Sequence, residues 1–411
     1  MRTKNLFLVL SIIILLFSNN SCNNATKEDA VESAASKTII LAIDGGGIKG
    51  IIPAIFLDAI EDSLGKQSYQ LFDLIGGTST GGLISVALTS NNVFSNNNRP
   101  FTASQIVQIY QKNGSNIFVP QNCKVETCAT YYANNNNGKG IEPFLQQMVG
   151  ATTTLSDSYQ FIQGLSNNRV KQMFTTSYIV NSTGGAISNP VQGQDYGPYL
   201  FNWYNANNST NDDYYAWEAA RGTSAAPTYF PIAHVGGGQS PRSGAAEKWV
   251  VDGGMMSNDP AVWGITEAIR TGIATSLQNI IVISLGTGFY PGDAGVGINN
   301  EGSLVPSDGN WSETPWIFEK LYDLEGTEND RGTIINVILD AVQMVTDSQL
   351  NELKKSGLQY YRLEPTLSKS QSAMDNISPA NIDSLIATAN NYLKTEGAAT
   401  FSTIITALKS N

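Results

Sequence analysis

Leu71-Phe-Asp-Leu-Ile-Gly-Gly-Thr-Ser-Thr-Gly-Gly-Leu83 reads as three things in succession. Leu71 to Ile75 is a short apolar run of strand type. Gly76 to Gly82 is a turn of glycine and small side chains, and an apolar helix follows from Leu83 to about Ser90. The same order stands upstream. Thr38-Ile-Ile-Leu-Ala-Ile43 is nearly continuous, aliphatic and β-branched, which suits a central strand buried on both faces. It ends in Asp44-Gly-Gly-Gly-Ile-Lys-Gly50, after which Ile52, Ile55, Phe56, Ala59, Ile60 and Leu64 recur at helical spacing. Two strand–turn–helix units in a row predict a single α/β domain whose central, mostly parallel sheet is flanked by helices.

Beyond these units, the sequence predicts strands at Met173 to Val180, Lys248 to Val251 and Asn279 to Ser284. Thr102 and Gln105 make a capping box for a helix to about Lys112, and Ser378-Pro379 opens another, with Ile382, Leu385, Ile386, Ala389, Tyr392 and Leu393 on one face. Segments 93–99, 133–140, 181–213 and 290–315, rich in Asn, Gly, Ser and Pro, read as surface loops. The catalytic domain is expected over 37–365, with 366–411 a helical extension packed on it. No internal repeat is present.

The N-terminus reads as an export signal over 1–21. Arg2 and Lys4 precede an apolar core from Leu6 to Phe17, too short to span a bilayer but of signal length. Residues 22–36 have the composition of a tether. Cys22 sits where a bacterial lipoprotein signal places its lipidated cysteine, although Asn19 stands where that motif carries an apolar residue. Lipidation and simple secretion are both open, and so are the periplasm, the outer membrane and the medium as destinations. The net charge of -11 argues against sequence-independent nucleic-acid binding and against electrostatic attraction to an anionic membrane. Membrane association would then rest on apolar contact or on acyl chains at Cys22. Cys123 and Cys128, the other two cysteines, are spaced for a small loop disulfide, and with His234 the sole histidine no metal site is expected.

Gly77-Thr78-Ser79-Thr80-Gly81 has the G-x-S-x-G form. Between a strand and a helix, such a turn exposes the central serine at a helix N-terminus, where free amides and the helix dipole favour developing negative charge. The first turn satisfies G-x-G-x-x-G and so admits a dinucleotide pyrophosphate. A ribose-binding acid is then needed at the end of the second strand, whereas that strand runs into Gly76-Gly77 and its one acid, Asp73, is internal. Alternatively, the amides of Gly45, Gly46 and Gly47, with that of Thr80, form an oxyanion hole. The hydrolase reading also needs a base. His234 has no motif around it; Asp252, delivered by Lys248-Trp-Val-Val-Asp252 to Gly253-Gly254, is the better candidate. A turn residue closing a strand would look the same.

Taken together, these stretches resemble the patatin-like phospholipases. Ile43-Asp-Gly-Gly-Gly-Ile-Lys-Gly-Ile-Ile-Pro53 looks like the family's oxyanion segment, Gly77-Thr-Ser-Thr-Gly81 its nucleophile turn, and Asp252-Gly-Gly with Asn258 and Pro260 the segment of its catalytic Asp. Ala220-Arg-Gly-Thr-Ser-Ala-Ala-Pro-Thr-Tyr-Phe-Pro231 resembles a further family stretch, and Leu358 to Leu363 extends the likeness. The resemblance implies a lipid acyl hydrolase with Ser79 as nucleophile, Asp252 as base and no metal or cofactor. The alternative on the same fold is an inactive acyl-lipid-binding module.

Overall fold

Among the described residues, buried aliphatic runs separated by glycine turns build one mixed sheet of eight strands. The computed structural model describes residues 37–95, 97–120, 132–133, 135–182, 196–238, 242–291 and 334–411. The expected export signal and tether, Cys22, Cys123, Cys128 and most of the 290–315 segment lie outside the described residues. The strands are β1 (Thr38–Ile43), β2 (Leu74–Gly77), β3 (Gln172–Ser182), β4 (Gly197–Asn202), β5 (Ala233–Val235), β6 (Lys248–Asp252), β7 (Ile280–Leu285) and β8 (Gln359–Leu363). Their order is β5-β6-β3-β2-β1-β7-β8, with β4 also paired to β3. The β3-β2-β1-β7-β8 pairings are parallel; β4 and β6 run antiparallel to β3, and β5 antiparallel to β6.

The longer helices are α1 (Ile51–Leu64), α2 (Thr80–Thr89), α3 (Ala103–Ile117), α4 (Ile141–Val149), α5 (Leu155–Gln163), α6 (Trp203–Asn208), α7 (Ala216–Thr223), α8 (Ala261–Arg270), α9 (Ile334–Lys354), α10 (Pro379–Tyr392) and α11 (Ala398–Lys409). Strand β1 shows why both faces need cover. Its side chains alternate between faces: Ile39, Leu41 and Ile43 enter a core shared with α1, α2, α3 and α10, while Ile40 and Ala42 enter a second core with Ala261, Ile265 and Ala268 of α8 and Leu350 of α9. The C-terminal helices pack on α1, with Phe56 and Tyr392 in ring contact at 5.7 Å.

Several boundaries differ from the sequence expectation. Strand β2 begins three residues later than Leu71 and continues through Gly76 and Gly77. The ring of Phe174 occupies the space where a side chain at Gly76 would lie, so these glycines are strand residues. Asp73, read as internal to the strand, precedes it; its carboxylate accepts from the Ile39 amide at 2.8 Å and pairs with Arg169 at 2.9 Å. Helix α2 starts at Thr80 rather than Leu83, and α3 extends past Lys112 to Ile117. Strand β4 and helix α6 fall inside 181–213, which was expected to be loop. Tyr199, Leu200, Phe201 and Trp203 are buried there, a short apolar run hidden among Asn-rich neighbours.

The length of β3 decides where the site forms. Its first residues pair with β2, ending at Thr175 opposite Gly77, and its later residues pair with β6, beginning at Ser177 opposite Asp252. Strand β4 pairs with Phe174 to Ile179 and so overlaps both stretches. A strand has only two edges, so β2 and β6 must share the other one, end to end. Their C-termini meet head-on, two β3 residues apart, a separation of about 7 Å.

Candidate active site

At this junction the chain leaves β2 through Ser79, whose φ of 51° and ψ of −122° are strained for a residue with a side chain. The turn is tight enough that glycine is required on either side. A Cβ at Gly77 would collide with the Gly81 carbonyl, and one at Gly81 with the carbonyls of Ile43 and Asp44. Thr78 N–H donates to Ile43 O of β1 at 3.0 Å, and the turn's own bonds close it: Gly81 N–H to Thr78 O at 2.7 Å and Leu83 N–H to Ser79 O at 3.0 Å. The Ser79 amide donates to Thr223 Oγ1 at 2.9 Å, which ties the turn to α7. The half-buried serine thus stands at the N-terminus of α2, whose dipole favours negative charge there.

Asp252 ends β6 and is 5% exposed. The Ser79 side chain lies close enough to its carboxylate to lower its pKa. The Gly254 amide donates to its Oδ1 at 2.8 Å, and the Asp252 amide to Ala225 O at 3.0 Å. Burial raises its pKa from 3.8 to about 6, against the opposing pull of the Ser79 and Gly254 hydrogen bonds and the Arg221 charge. The serine turn and the aspartate loop are held in register by Thr78, whose hydroxyl donates to Ser257 O at 2.6 Å and lies 2.7 Å from Thr176 Oγ1.

The first glycine turn lies alongside. A Cβ at Gly45 would come 3.1 Å from Ser79 Cβ, so the glycine backbone passes directly against the serine. Its amide, expected among the oxyanion donors, instead donates to Asn258 O at 3.2 Å, and its carbonyl accepts from Thr287 Oγ1 at 2.7 Å. Ile48 N–H donates to Met374 O at 2.8 Å. Among the described residues, the amides of Gly46, Gly47 and Thr80 donate no backbone hydrogen bond.

His234 is elsewhere. Its ring stacks on Trp249 at 4.1 Å and its Nε2 lies 2.5 Å from Glu247 Oε1, across the β5–β6 pair. Among the described residues, no group of three or more His, Cys, Asp or Glu is placed to hold a metal ion. A Cβ at Gly46 would strike the Thr287 side chain and one at Gly47 the Met374 carbonyl, so both positions require glycine.

The family model for patatin-like phospholipases matches residues 41–262, more than half of the chain. The chain belongs to the patatin-like phospholipase family. At the level of that family it is a lipid acyl hydrolase acting on carboxylic ester bonds. Among similar proteins, Patatin group D-3 of Solanum tuberosum is 27% identical over 412 residues, covering 96% of this chain and 91% of the relative. Patatin-17 of Solanum cardiophyllum is also 27% identical, over 414 residues with the same coverage. The solved structure of VipD from Legionella pneumophila aligns over 87% of this chain and 67% of its own, at TM-score 0.35 and 10% identity.

Several patatin-site neighbours escaped the sequence reading. Asn258 and Arg221 lie in stretches quoted for the family resemblance, but no motif signalled their contacts. Thr287 carried no signal beyond following β7. Arg221 is 1% exposed on α7; it donates to Pro231 O at 2.6 Å, pairs with Glu142 at 3.4 Å and places its charge near Asp252. Arg362, within the likeness at 358–363, proves to be the centre of a buried carboxylate cluster beneath the first glycine turn.

Proposed function

We propose that this chain hydrolyses acyl esters of lipids, of phospholipase A or nonspecific lipase type, through Ser79 and Asp252 alone. The observation that carries the reading is Ser79, in a strained turn at the N-terminus of α2, beside the buried carboxylate of Asp252. In the first half-reaction Asp252 accepts the Ser79 proton as Oγ attacks the ester carbonyl carbon. The amides of Gly46, Gly47 and Thr80 are the donors available for the resulting oxyanion, each worth about 3 kcal/mol in the transition state. Collapse breaks the ester C–O bond, and the departing alkoxide takes the proton from Asp252. Water then attacks the acyl-serine with Asp252 again as base, releasing the fatty acid and restoring Ser79. A base of pKa about 6 is ionised at neutral pH yet still basic enough to share the proton.

The test is ester release from short- and long-chain p-nitrophenyl esters and from a labelled phospholipid. Ser79→Ala and Asp252→Asn lose activity and His234→Ala keeps it. An inactive unaltered protein that still binds acyl chains would replace the enzyme with the acyl-binding module. The basic flank and apolar core at 2–17 support export, and Cys22 is the site for an acyl anchor. Incorporation of labelled palmitate into the unaltered chain but not Cys22→Ser supports the lipoprotein; equal absence in both leaves secretion or a periplasmic protein.

A further inference from the structure

Arg362 lies on β8, well beyond residue 262 where the family match ends. Its register partner is Ser284 on β7. From there the guanidinium reaches Asp44 Oδ2 at 2.6 Å, Asp259 Oδ2 at 3.0 Å and Ser284 Oγ at 2.5 Å. It also donates to Glu364 and lies 3.4 Å from Asp347. Asp44 and Asp259 are fully buried. Each adjoins a residue that joins the two loops of the site: Asp44 precedes Gly45, Asp259 follows Asn258, and the Gly45 amide donates to the Asn258 carbonyl at 3.2 Å. A second path reinforces the first, since Asn258 Nδ2 donates to Gln343, and Gln343 Nε2 to Glu364 at 3.1 Å.

One cation thus grips both loops at their roots. A buried network in which Arg362 meets four carboxylates, with the Lys49 charge also acting on Glu364, is a poor source of net stability, because desolvation offsets most of the attraction. Its geometry has a different use. The planar fork of arginine can hold two carboxylates at a fixed separation, which the single point charge of lysine cannot. We propose that Arg362 is a positioning residue that sets the spacing between the Gly45–Gly47 loop and the Asp252–Asp259 loop, and hence the oxyanion pocket, without touching substrate. The proposal rests on the Ser79–Asp252 reading above. It assigns a role in the site to the strand beyond the family match.

The experiment compares Arg362→Lys, Arg362→Met and the size-preserving Asp259→Asn in the full chain, with p-nitrophenyl butyrate as substrate. Ser79 is titrated to completion with a fluorophosphonate, and folding is followed by thermal melting. The expected result is a fall in kcat per titrated serine of about tenfold in Arg362→Lys and Asp259→Asn and about a hundredfold in Arg362→Met, with KM within about threefold. A kcat per titrated serine within about twofold of the unaltered protein overturns the proposal, as does a raised KM at unchanged kcat. Failure of all three to fold also overturns it, since the network would then be a folding element. If the unaltered protein neither labels at Ser79 nor hydrolyses the ester, the underlying site reading fails instead.

Discussion

The two glycine turns leave neighbouring parallel strands in register, Ile43 opposite Gly77, yet they are held in different ways. The second is closed largely by its own backbone, through Gly81 to Thr78, Leu83 to Ser79 and the near-contact of Gly77 with Gly81. The first has Lys49 N–H to Gly46 O at 3.2 Å and Ile51 N–H to Ile48 O. Its other ties reach Leu285, Asn258, Thr287 and Met374, on segments that arrive more than two hundred positions later in the chain. The serine turn, though also tied to Thr176, Thr223 and Ser257, is therefore the more local structure and the first glycine loop the more tertiary one. Mutations should divide them accordingly.

The largest effect is expected from Gly77→Ala. Its Cβ meets backbone that cannot move aside, so the loss is about 3 kcal/mol or more, read as a collapse of the melting transition. Gly47→Ala, at φ 61° and against the Met374 carbonyl, is strained as well and should cost about 2 kcal/mol, with kcat of the folded protein lowered about a hundredfold. If Gly47→Ala unfolds the protein as fully as Gly77→Ala, the distinction between the turns is lost. Thr287→Ala removes the hydroxyl that holds Gly45 O and should cost about 1 kcal/mol of stability, with a kcat fall of about tenfold.

The fourth prediction concerns the charge that the serine turn faces. Asp252 is raised from 3.8 to about 6 by burial, so ionising it weakens the fold. That penalty is fully present above about pH 6, fades as pH falls toward 3.8 and is absent below. Asp252→Asn should therefore be inactive yet more stable at pH 8 by about 2 to 3 kcal/mol, the gap closing near pH 4. Urea unfolding at both pH values checks it. Activity should show the same group with the opposite benefit, kcat/KM rising with pH to a half-maximum near the folded pKa.

The same division explains what could be read from the sequence. Ser79, Gly77, Gly81 and the β1–turn–α1 unit are local phrases, in which strand, glycines and helix stand next to one another. Asp252 was legible because an apolar strand delivers it to glycines. The bounds of β2 do not show in the sequence, because Gly76 and Gly77 pass for turn residues and the Phe174 ring that fills the space beside Gly76 comes from a distant strand. Gly45 was grouped with Gly46 and Gly47 because three consecutive glycines look equivalent; only the Asn258 carbonyl separates them. Arg362 and Thr287 act across the sheet, and neither residue type nor spacing marks such contacts.

Ser79 is the acyl acceptor in this mechanism. Brief reaction with a p-nitrophenyl ester, acid quench and mass spectrometry of the peptide containing residue 79 should show the acyl group on Ser79 in the unaltered protein and in His234→Ala, and none in Ser79→Ala. An acyl adduct on another residue, or turnover that survives in Ser79→Ala, would contradict it.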